Sequence, residues 1–132
     1  LSILDDRVKS RREVANHYYK NFKEVEGIDL VSESSYGKST RWLSVVLIDS
    51  KSFGSDIIEI IDRLDRNNVE ARPVWKPMHM QPFYKDYIYI TKNNMDVSQS
   101  LFKKGLCLPS GSSLTKDQLD YIVGIVLDDS EG

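Results

Sequence analysis

A proline-rich segment in the middle of the chain, residues 70–84, carries the side chains best suited to chemistry. Its sequence is EARPVWKPMHMQPFY. Proline has a fixed φ and no amide donor, so the segment cannot form a helix and fits poorly in the centre of a sheet. A rigid loop that presents cations, an aromatic ring, an imidazole and an amide suits an anionic, hydroxyl-rich ligand. The candidate binding residues are Arg72, Trp75, Lys76, His79 and Gln81.

Each of these side chains also has an ordinary structural explanation. Trp75 can seal the edge of a small sheet or stack on a sugar or base, and the sequence leaves both open. Arg72 and Lys76 can be surface charges, or two cations that bind a diphosphate beside the tryptophan. His79 can be held by backbone hydrogen bonds in the stiff loop or can contact a ligand.

Other kinds of site find less support. The second histidine, His17, lies in a helical segment, and the usual spacing of metal ligands is missing around both histidines. Cys107 is the single cysteine, which excludes an intramolecular disulfide, and its leucine neighbours predict a buried, inert thiol. Residues 109–113, PSGSS, resemble a phosphate-binding turn but lack its glycine and lysine spacing, which favours a turn into the last helix.

The composition is that of one soluble globular domain. The chain has 132 residues, with 40% hydrophobic and 29% charged residues. A net charge of −2 gives no general attraction to nucleic acid or to a membrane surface. Apolar runs long enough to cross a bilayer are missing, and the cysteine content favours a reducing, cytoplasmic setting. Because the chain begins at Leu1 within an apparent helix, we expect it to be a piece of a longer polypeptide.

Helices and strands that alternate along the chain must position the loop. Apolar residues at helical spacing predict the helices, and β-branched or aromatic runs predict the strands. The predicted order is a helix over 3–22, a strand over 41–48, a helix around 57–64 that includes Ile58, a strand over 69–74, the proline loop, a helix over 96–104, a strand over 106–108 and a closing helix. This order predicts a two-layer α/β domain with a small sheet.

The ends of two helices have specific signals. Thr115 and Gln118 have the spacing of a capping box at the start of the closing helix. Asn67 and Asn68 can adopt the left-handed conformation that ends the second helix. For the start of that second helix, the sequence suggests Ser52 or Ser55 as the cap.

Several segments resemble one known family. The 70–84 segment, together with GLCLPSGSSLTKDQLDYIV over 105–123, closely resembles the C-terminal part of the DegT–StrS family, which are pyridoxal-phosphate-dependent sugar aminotransferases of fold type I. LDDRVKSRREVANHYYKNF resembles the long helix that leaves the large domain of that family, and WLSVVLID resembles the first strand of its small domain. WKPMH and LPSG are most similar to the bacillosamine-type branch, which acts on UDP-linked 4-keto-6-deoxy-N-acetylhexosamines.

The resemblance implies the C-terminal α/β small domain of a fold type I aminotransferase. It implies a single domain over 1–132, with a linking helix at about 3–22, a small α/β domain at about 28–128, and no large cofactor-binding domain. The family transfers an amino group, usually from glutamate, to a keto sugar nucleotide through a lysine Schiff base with pyridoxal phosphate. That lysine lies in the family's large domain. We therefore expect no catalytic residue in this chain and no cofactor bound to it alone.

The resemblance also implies roles for the loop. The small domain of the family closes over the active site, so residues 75–81 would face a UDP-linked keto sugar in a cytoplasmic homodimer that makes glycan or polysaccharide precursors. His79 and Lys76 would supply polar contacts, Trp75 would shape the pocket, and Arg72 would contact an anion. The alternative is a stand-alone small-molecule-binding or regulatory α/β module. That alternative predicts that Ile3, Leu4 and Val8 are buried within the chain.

Overall fold

A four-stranded antiparallel sheet forms the centre of the structure, a computed structural model that describes residues 3–128. Its strands are β1 (Ile28–Leu30), β2 (Ser44–Ile48), β3 (Arg72–Pro73) and β4 (Gly105–Leu108), in the order β1-β2-β4-β3. Buried and half-buried residues alternate along β2, whereas all of β4 is buried. Since period-two alternation puts every second side chain on one face, β2 directs one face at the core.

Five helices surround this sheet in the described part of the chain. They are α1 (Leu4–Phe22), α2 (Ser50–Phe53), α3 (Ile57–Arg66), α4 (Val97–Lys104) and α5 (Lys116–Leu127). Both α1 and α3 contact α5, and α1 also contacts β1 and β2. The result confirms the predicted α/β fold. Its fully buried core side chains are Tyr18, Phe22, Val46, Ile60, Leu64, Leu106, Leu108 and Val126.

The long first helix is anchored by a buried tyrosine. Tyr18 stacks on Phe22, and its hydroxyl donates to the Pro109 carbonyl oxygen at 2.9 Å. Burial raises the pKa of Tyr18, so the hydroxyl stays a donor at physiological pH. A buried hydroxyl needs such a partner, because an unpaired polar group in the interior is costly. This contact joins α1 to the turn that follows β4.

Two of the predicted helix ends are confirmed. Thr115 and Gln118 make reciprocal hydrogen bonds of 3.3 and 3.0 Å at the start of α5. Asn68 has the left-handed φ of 58°, whereas Asn67, for which the same conformation was predicted, has φ −99°. The Asn68 amide bonds to the Asp65 carbonyl at 2.9 Å, and the Val69 amide bonds to the Leu64 carbonyl at 2.9 Å. This pair of bonds is a Schellman motif, which satisfies two carbonyl groups that the helix itself leaves without donors.

The predicted cap of α3 was wrong. Asp56, rather than Ser52 or Ser55, accepts hydrogen bonds from the first amides of α3, and Glu59 bonds back to the Asp56 amide at 2.7 Å. The D-x-x-E spacing is a capping box, the same signal that was recognised in the closing helix. Ser52 lies instead in α2, which the sequence pattern did not predict.

Two of the predicted strands are shorter than expected, β4 is one residue longer, and one strand was missed. The predicted strand over 41–48 begins at Ser44, because Arg41 has φ 50° and interrupts the extended backbone. The strand over 69–74 reduces to β3, an edge strand that contains Pro73 and so lacks one amide donor. β1 was not predicted, since three residues are too few to show a period. Ile58 is 54% exposed, and the core position in α3 belongs to Ile60.

Gly105 provides a test of how closely the backbone at the start of β4 approaches Val74 and the last turn of α4. A Cβ there would lie 2.6 Å from the Leu101 carbonyl oxygen and 2.7 Å from Val74 Cγ1. Gly105→Ala should therefore lower the free energy of unfolding by about 1–3 kcal/mol through overpacking. Gly124 in α5 has nothing within 4 Å of its Cβ position. Gly124→Ala should instead raise that free energy by about 0.5–1 kcal/mol through helix propensity. Urea unfolding of both variants measures this, and equal values would contradict the close approach at Gly105.

Candidate functional site

An open groove of about 590 Å³ lies beside the β3 edge of the sheet. Arg72, Trp75 and Lys76 line it from the proline-rich loop, and Trp42 lines it from the segment before β2. The structure thus brings together three of the five residues that the sequence singled out. Most other lining residues are apolar: Leu43, Ala71, Pro73, Val74, Phe102, Cys107, Leu108 and Pro109.

Two indole rings stack in this groove. The ring centroids of Trp42 and Trp75 lie 5.7 Å apart at an interplanar angle of 25°. Trp42 is 58% exposed and Trp75 is 67% exposed, so neither ring is a core residue. Tryptophan normally buries more of its surface than this. The pair presents a broad aromatic surface to solvent.

The segment that carries Trp42 is held against α1 by two arginines. Arg11 Nη1 donates to the Trp42 carbonyl oxygen at 2.6 Å. Arg12 makes a bidentate ion pair with Glu33, at 2.7 and 2.9 Å, and donates to the Ser39 carbonyl oxygen at 2.6 Å. Bidentate arginine–carboxylate pairs fix orientation as well as distance. This irregular stretch is therefore positioned by side chains of α1.

The cations of the groove exceed its carboxylates. Arg72 donates through Nε and Nη2 to Glu70 Oε1, the nearer distance being 2.5 Å. A guanidinium has five N–H donors, so this pair leaves donors for a ligand. The side chain of Lys76 is exposed, and its ammonium group has no hydrogen bond or ion pair with residues 3–128. Two cations against one carboxylate make the groove attractive to an anion.

His79 is close to the groove residues in sequence, but its side chain lies in a separate cluster. Its Nε2 is 2.8 Å from Asp96 Oδ2, and its ring stacks on Tyr89 with centroids 3.7 Å apart. The Tyr89 hydroxyl donates to Asp96 Oδ1 at 3.1 Å. His79 and Asp96 are half-buried, with side chains 19% and 22% exposed. The cluster attaches the proline-rich loop to the start of α4.

Asp96 fixes which nitrogen of His79 is available. The Gln99 amide donates to Asp96 at 2.8 Å as the cap of α4, and this bond, with those from Ser98 and Tyr89, holds the pKa of Asp96 below its ordinary value. An ionised carboxylate only accepts hydrogen bonds, so the proton between the two groups belongs to His79 Nε2. His79 can therefore contact a ligand through Nδ1.

Gln81 braces the loop itself. Its Nε2 donates to the Lys76 carbonyl oxygen at 3.3 Å, and its backbone amide donates to the Met78 carbonyl at 3.0 Å. Neither His79 nor Gln81 is among the groove-lining residues. Their roles as ligand contacts stay predictions, as do those of the three residues in the groove.

The other residues that the sequence singled out make structural contacts or have no assigned role. His17 lies 2.8 Å from Asp120 of α5. Ser110 Oγ accepts from the Ser44 amide at 2.6 Å and donates to the Leu108 carbonyl at 2.8 Å, so the PSGSS segment acts as a turn. Burial raises the pKa of Cys107, which keeps its thiol protonated.

Two broader kinds of site have no basis in residues 3–128. No group of three or more His, Cys, Asp or Glu side chains there could hold a metal ion. Within the same residues, every helix is too short or too polar to cross a membrane.

The groove residues do not fit pyridoxal phosphate. That cofactor needs a lysine for its aldehyde and a carboxylate for its ring nitrogen in a water-excluding site. Glu70 is the one carboxylate among the groove-lining residues; its side chain is 74% exposed and is already bonded to Arg72. Lys76 is exposed as well. This groove can bind an anion with an aromatic part, but it does not supply a cofactor site.

The Arg12–Glu33 pair predicts a loss of stability in acid. The Arg12 hydrogen bond, with the Ser39 amide, lowers the pKa of Glu33 from 4.5 to about 2. The stabilisation from this pair is thus fully present above about pH 4.5 and is lost as the pH falls towards about 2. Glu33→Gln should flatten the pH dependence of the unfolding free energy in that window. The control is Glu24→Gln, since Glu24 is 83% exposed in its pair with Lys23. An unchanged slope in Glu33→Gln would contradict the expectation.

Asp96→Asn tests the assignment of the His79 proton. Asparagine keeps a cap for α4, but it places an amide donor opposite His79 Nε2. We expect His79 to carry its proton on Nε2 in the unsubstituted protein and on Nδ1 in the variant. Imidazole ¹⁵N chemical shifts at about pH 8, where histidine is ordinarily neutral, measure this. Asp120→Asn, which changes the partner of His17, is the matched control. The assignment fails if the His79 shifts are the same in both proteins.

Comparison with known proteins identifies the family of this chain. The sequence model of the DegT/DnrJ/EryC1/StrS aminotransferase family matches residues 1–127. EpsN of Bacillus subtilis (strain 168), named as a pyridoxal phosphate-dependent aminotransferase, is 35% identical over 96% of this chain and 32% of its own length. GDP-perosamine synthase of Escherichia coli O157:H7 is 28% identical over 92% of this chain and 31% of its own length. The chain thus spans about a third of the length of these relatives.

A solved structure extends the likeness to the fold. DesI, determined in the presence of its TDP-sugar product, superposes with a TM-score of 0.82 at 16% identity, over 96% of this chain and 32% of DesI. At that identity the likeness concerns the fold alone. The family's sequence model covers nearly all residues of this chain, so the chain belongs to the DegT/DnrJ/EryC1/StrS aminotransferase family.

Proposed function

We propose that this chain is the substrate-facing small domain of a pyridoxal-phosphate-dependent aminotransferase that converts a nucleotide-linked keto sugar to an amino sugar. Glutamate is the amino donor, and the product is a precursor of a glycan or polysaccharide. The cofactor and its lysine belong to a larger part of the enzyme, outside residues 1–132. The observation that carries the proposal is the groove in which Arg72 and Lys76 flank exposed aromatic rings.

The residues of the loop bind and orient the substrate. A sugar nucleotide contains a diphosphate, which suits the guanidinium of Arg72 and the ammonium of Lys76. Trp75 shapes the wall next to them. His79 offers Nδ1 as an acceptor to a hydroxyl of the sugar, since Asp96 engages its Nε2. Gln81 keeps the turn between these residues closed.

The relatives support a nucleotide-linked substrate. The names of two of them refer to a GDP-linked and a TDP-linked sugar, so the shared element is the diphosphate. The WKPMH and LPSG segments favour a UDP-linked 4-keto-6-deoxy-N-acetylhexosamine, as in the bacillosamine-type branch. We propose this sugar class, in a homodimeric enzyme, as the finer assignment.

The exposed start of α1 argues against a stand-alone module. Ile3 is 61% exposed, Leu4 is 55% exposed and Val8 is half-buried. A self-sufficient domain is expected to bury such residues, and their exposure favours packing against another segment of the enzyme. This supports the small-domain proposal over the alternative of an independent binding or regulatory domain.

The test uses the complete product of the gene that encodes this chain. We expect it to bind pyridoxal phosphate, with a visible absorbance band, and to form 2-oxoglutarate from glutamate when a UDP-linked 4-keto sugar is supplied. Arg72→Ala and Lys76→Ala should each raise KM for the sugar nucleotide about ten- to hundredfold, the usual effect of losing a charged hydrogen bond. Tyr36→Ala is the control, because Tyr36 is 95% exposed in the loop before β2.

Cofactor binding can also be tested on the isolated chain. Residues 1–132 alone should show no cofactor absorbance band. A strong band from this chain that Lys76→Ala removes would overturn the assignment of the cofactor to another part of the enzyme. Absence of amino transfer by the complete protein with every keto sugar nucleotide tested would overturn the function itself.

A further inference from the structure

Trp42 has no role in the site predicted from the sequence, yet it forms half of the aromatic surface of the groove. We propose that Trp42 and Trp75 together form the surface on which the nucleobase of the sugar nucleotide stacks, and that Arg11 is a positioning residue for Trp42. This inference rests on the proposed function, because it assigns the nucleoside part of that substrate to a place in the groove.

The exposure and order of the two rings are the first support. Both indoles remain more than half exposed although they stack on one another at 5.7 Å. Aromatic rings that protein contacts hold in place but leave open to solvent are suited to base stacking, which tolerates any of the bases.

The way Trp42 is held is the second support. Arg11 of α1 donates to the Trp42 carbonyl oxygen at 2.6 Å, and Arg12 fixes the same segment through Glu33 and Ser39. These contacts set the backbone of a residue that lies outside any helix or strand. A prepositioned ring loses less conformational freedom when a ligand binds.

The charge and polarity of the groove indicate which kind of ligand it can bind. Arg72 and Lys76 face a single carboxylate, so the groove favours an anion. Around the rings, the lining residues Leu43, Val74 and Phe102 offer no side-chain hydrogen bonds. The flat face of a base can stack on the rings without a hydrogen bond from these residues. A base joined to a diphosphate matches both parts of the groove.

The volume agrees with such a ligand. Small-molecule sites typically enclose about 300–1,000 Å³, and this groove has about 590 Å³. The nucleoside diphosphate can therefore occupy the groove with its phosphates towards the cations, and its sugar continues beyond them.

The chain provides its own reporter for a test. Its two tryptophans are the stacked pair, so intrinsic tryptophan emission reads the groove directly. We would titrate the chain with UDP, uridine, pyrophosphate and N-acetylglucosamine. UDP should bind and quench the emission, uridine should quench it at higher concentration, and pyrophosphate should bind, as calorimetry detects, with little quenching.

Variants separate the stacking role from folding. Trp42→Leu should weaken UDP binding about tenfold or more, as the loss of one base-stacking contact does, and should leave pyrophosphate affinity unchanged. Trp42→Phe should keep UDP affinity within about threefold, since a ring remains to stack on. Arg11→Gln should weaken UDP binding several-fold while pyrophosphate affinity stays the same. Tyr36→Leu is the matched control, since this exposed aromatic residue lies outside the groove.

Three results would overturn the inference. The first is that UDP does not bind the unsubstituted chain at millimolar concentration. The second is that Trp42→Leu weakens the binding of UDP and of pyrophosphate equally. The third is that N-acetylglucosamine quenches the emission and uridine does not. Each is independent of catalysis, because no amino transfer is measured. Loss of amino transfer in the complete enzyme together with normal UDP quenching would instead count against the proposed function alone.

Discussion

The Asp96 carboxylate is the contact on which the position of the proline-rich loop most depends. β3 has only two paired residues before the loop. The prolines of the loop lack the amide donors that might otherwise extend the sheet. The Asp96 carboxylate then accepts hydrogen bonds from the Gln99 amide, the His79 imidazole and the Tyr89 hydroxyl. Because the same group caps α4, the loop and the helix are fixed together. An arrangement of this kind replaces the regular hydrogen bonds that proline prevents.

A second irregular segment meets the first through its tryptophan. Residues between β1 and β2 form no regular structure, and α1 holds them by Arg11 and Arg12. The segment before β2 thus depends on charged side chains of α1, and the proline-rich loop depends on the carboxylate that caps α4. Residues of β3 and β4 form part of the groove itself. The two segments come together where Trp42 stacks on Trp75. Most residues that line the candidate site lie in loops, with contributions from β3, β4 and Phe102 of α4. Functional residues are commonly carried by loops on a rigid scaffold.

The features that the sequence predicted well are local ones. The Thr115–Gln118 box and the left-handed Asn68 each depend on residues within a few positions. The same kind of signal was present but overlooked at Asp56. Contacts across the fold lay beyond such reasoning, since nothing in the sequence pairs His79 with a residue seventeen positions later, or Trp42 with Trp75. The loop was predictable from its composition, but the partners that orient it were set by topology.

The two outer strands of the sheet have a consequence for solubility. An exposed edge presents unpaired backbone groups that can template strand addition from another molecule. Here β1 has three residues and β3 has two, one of them Pro73. Such short edges give a second chain little to pair with, and the proline withholds a donor. The edges of the sheet therefore offer few backbone groups at which amyloid-like polymerisation could begin.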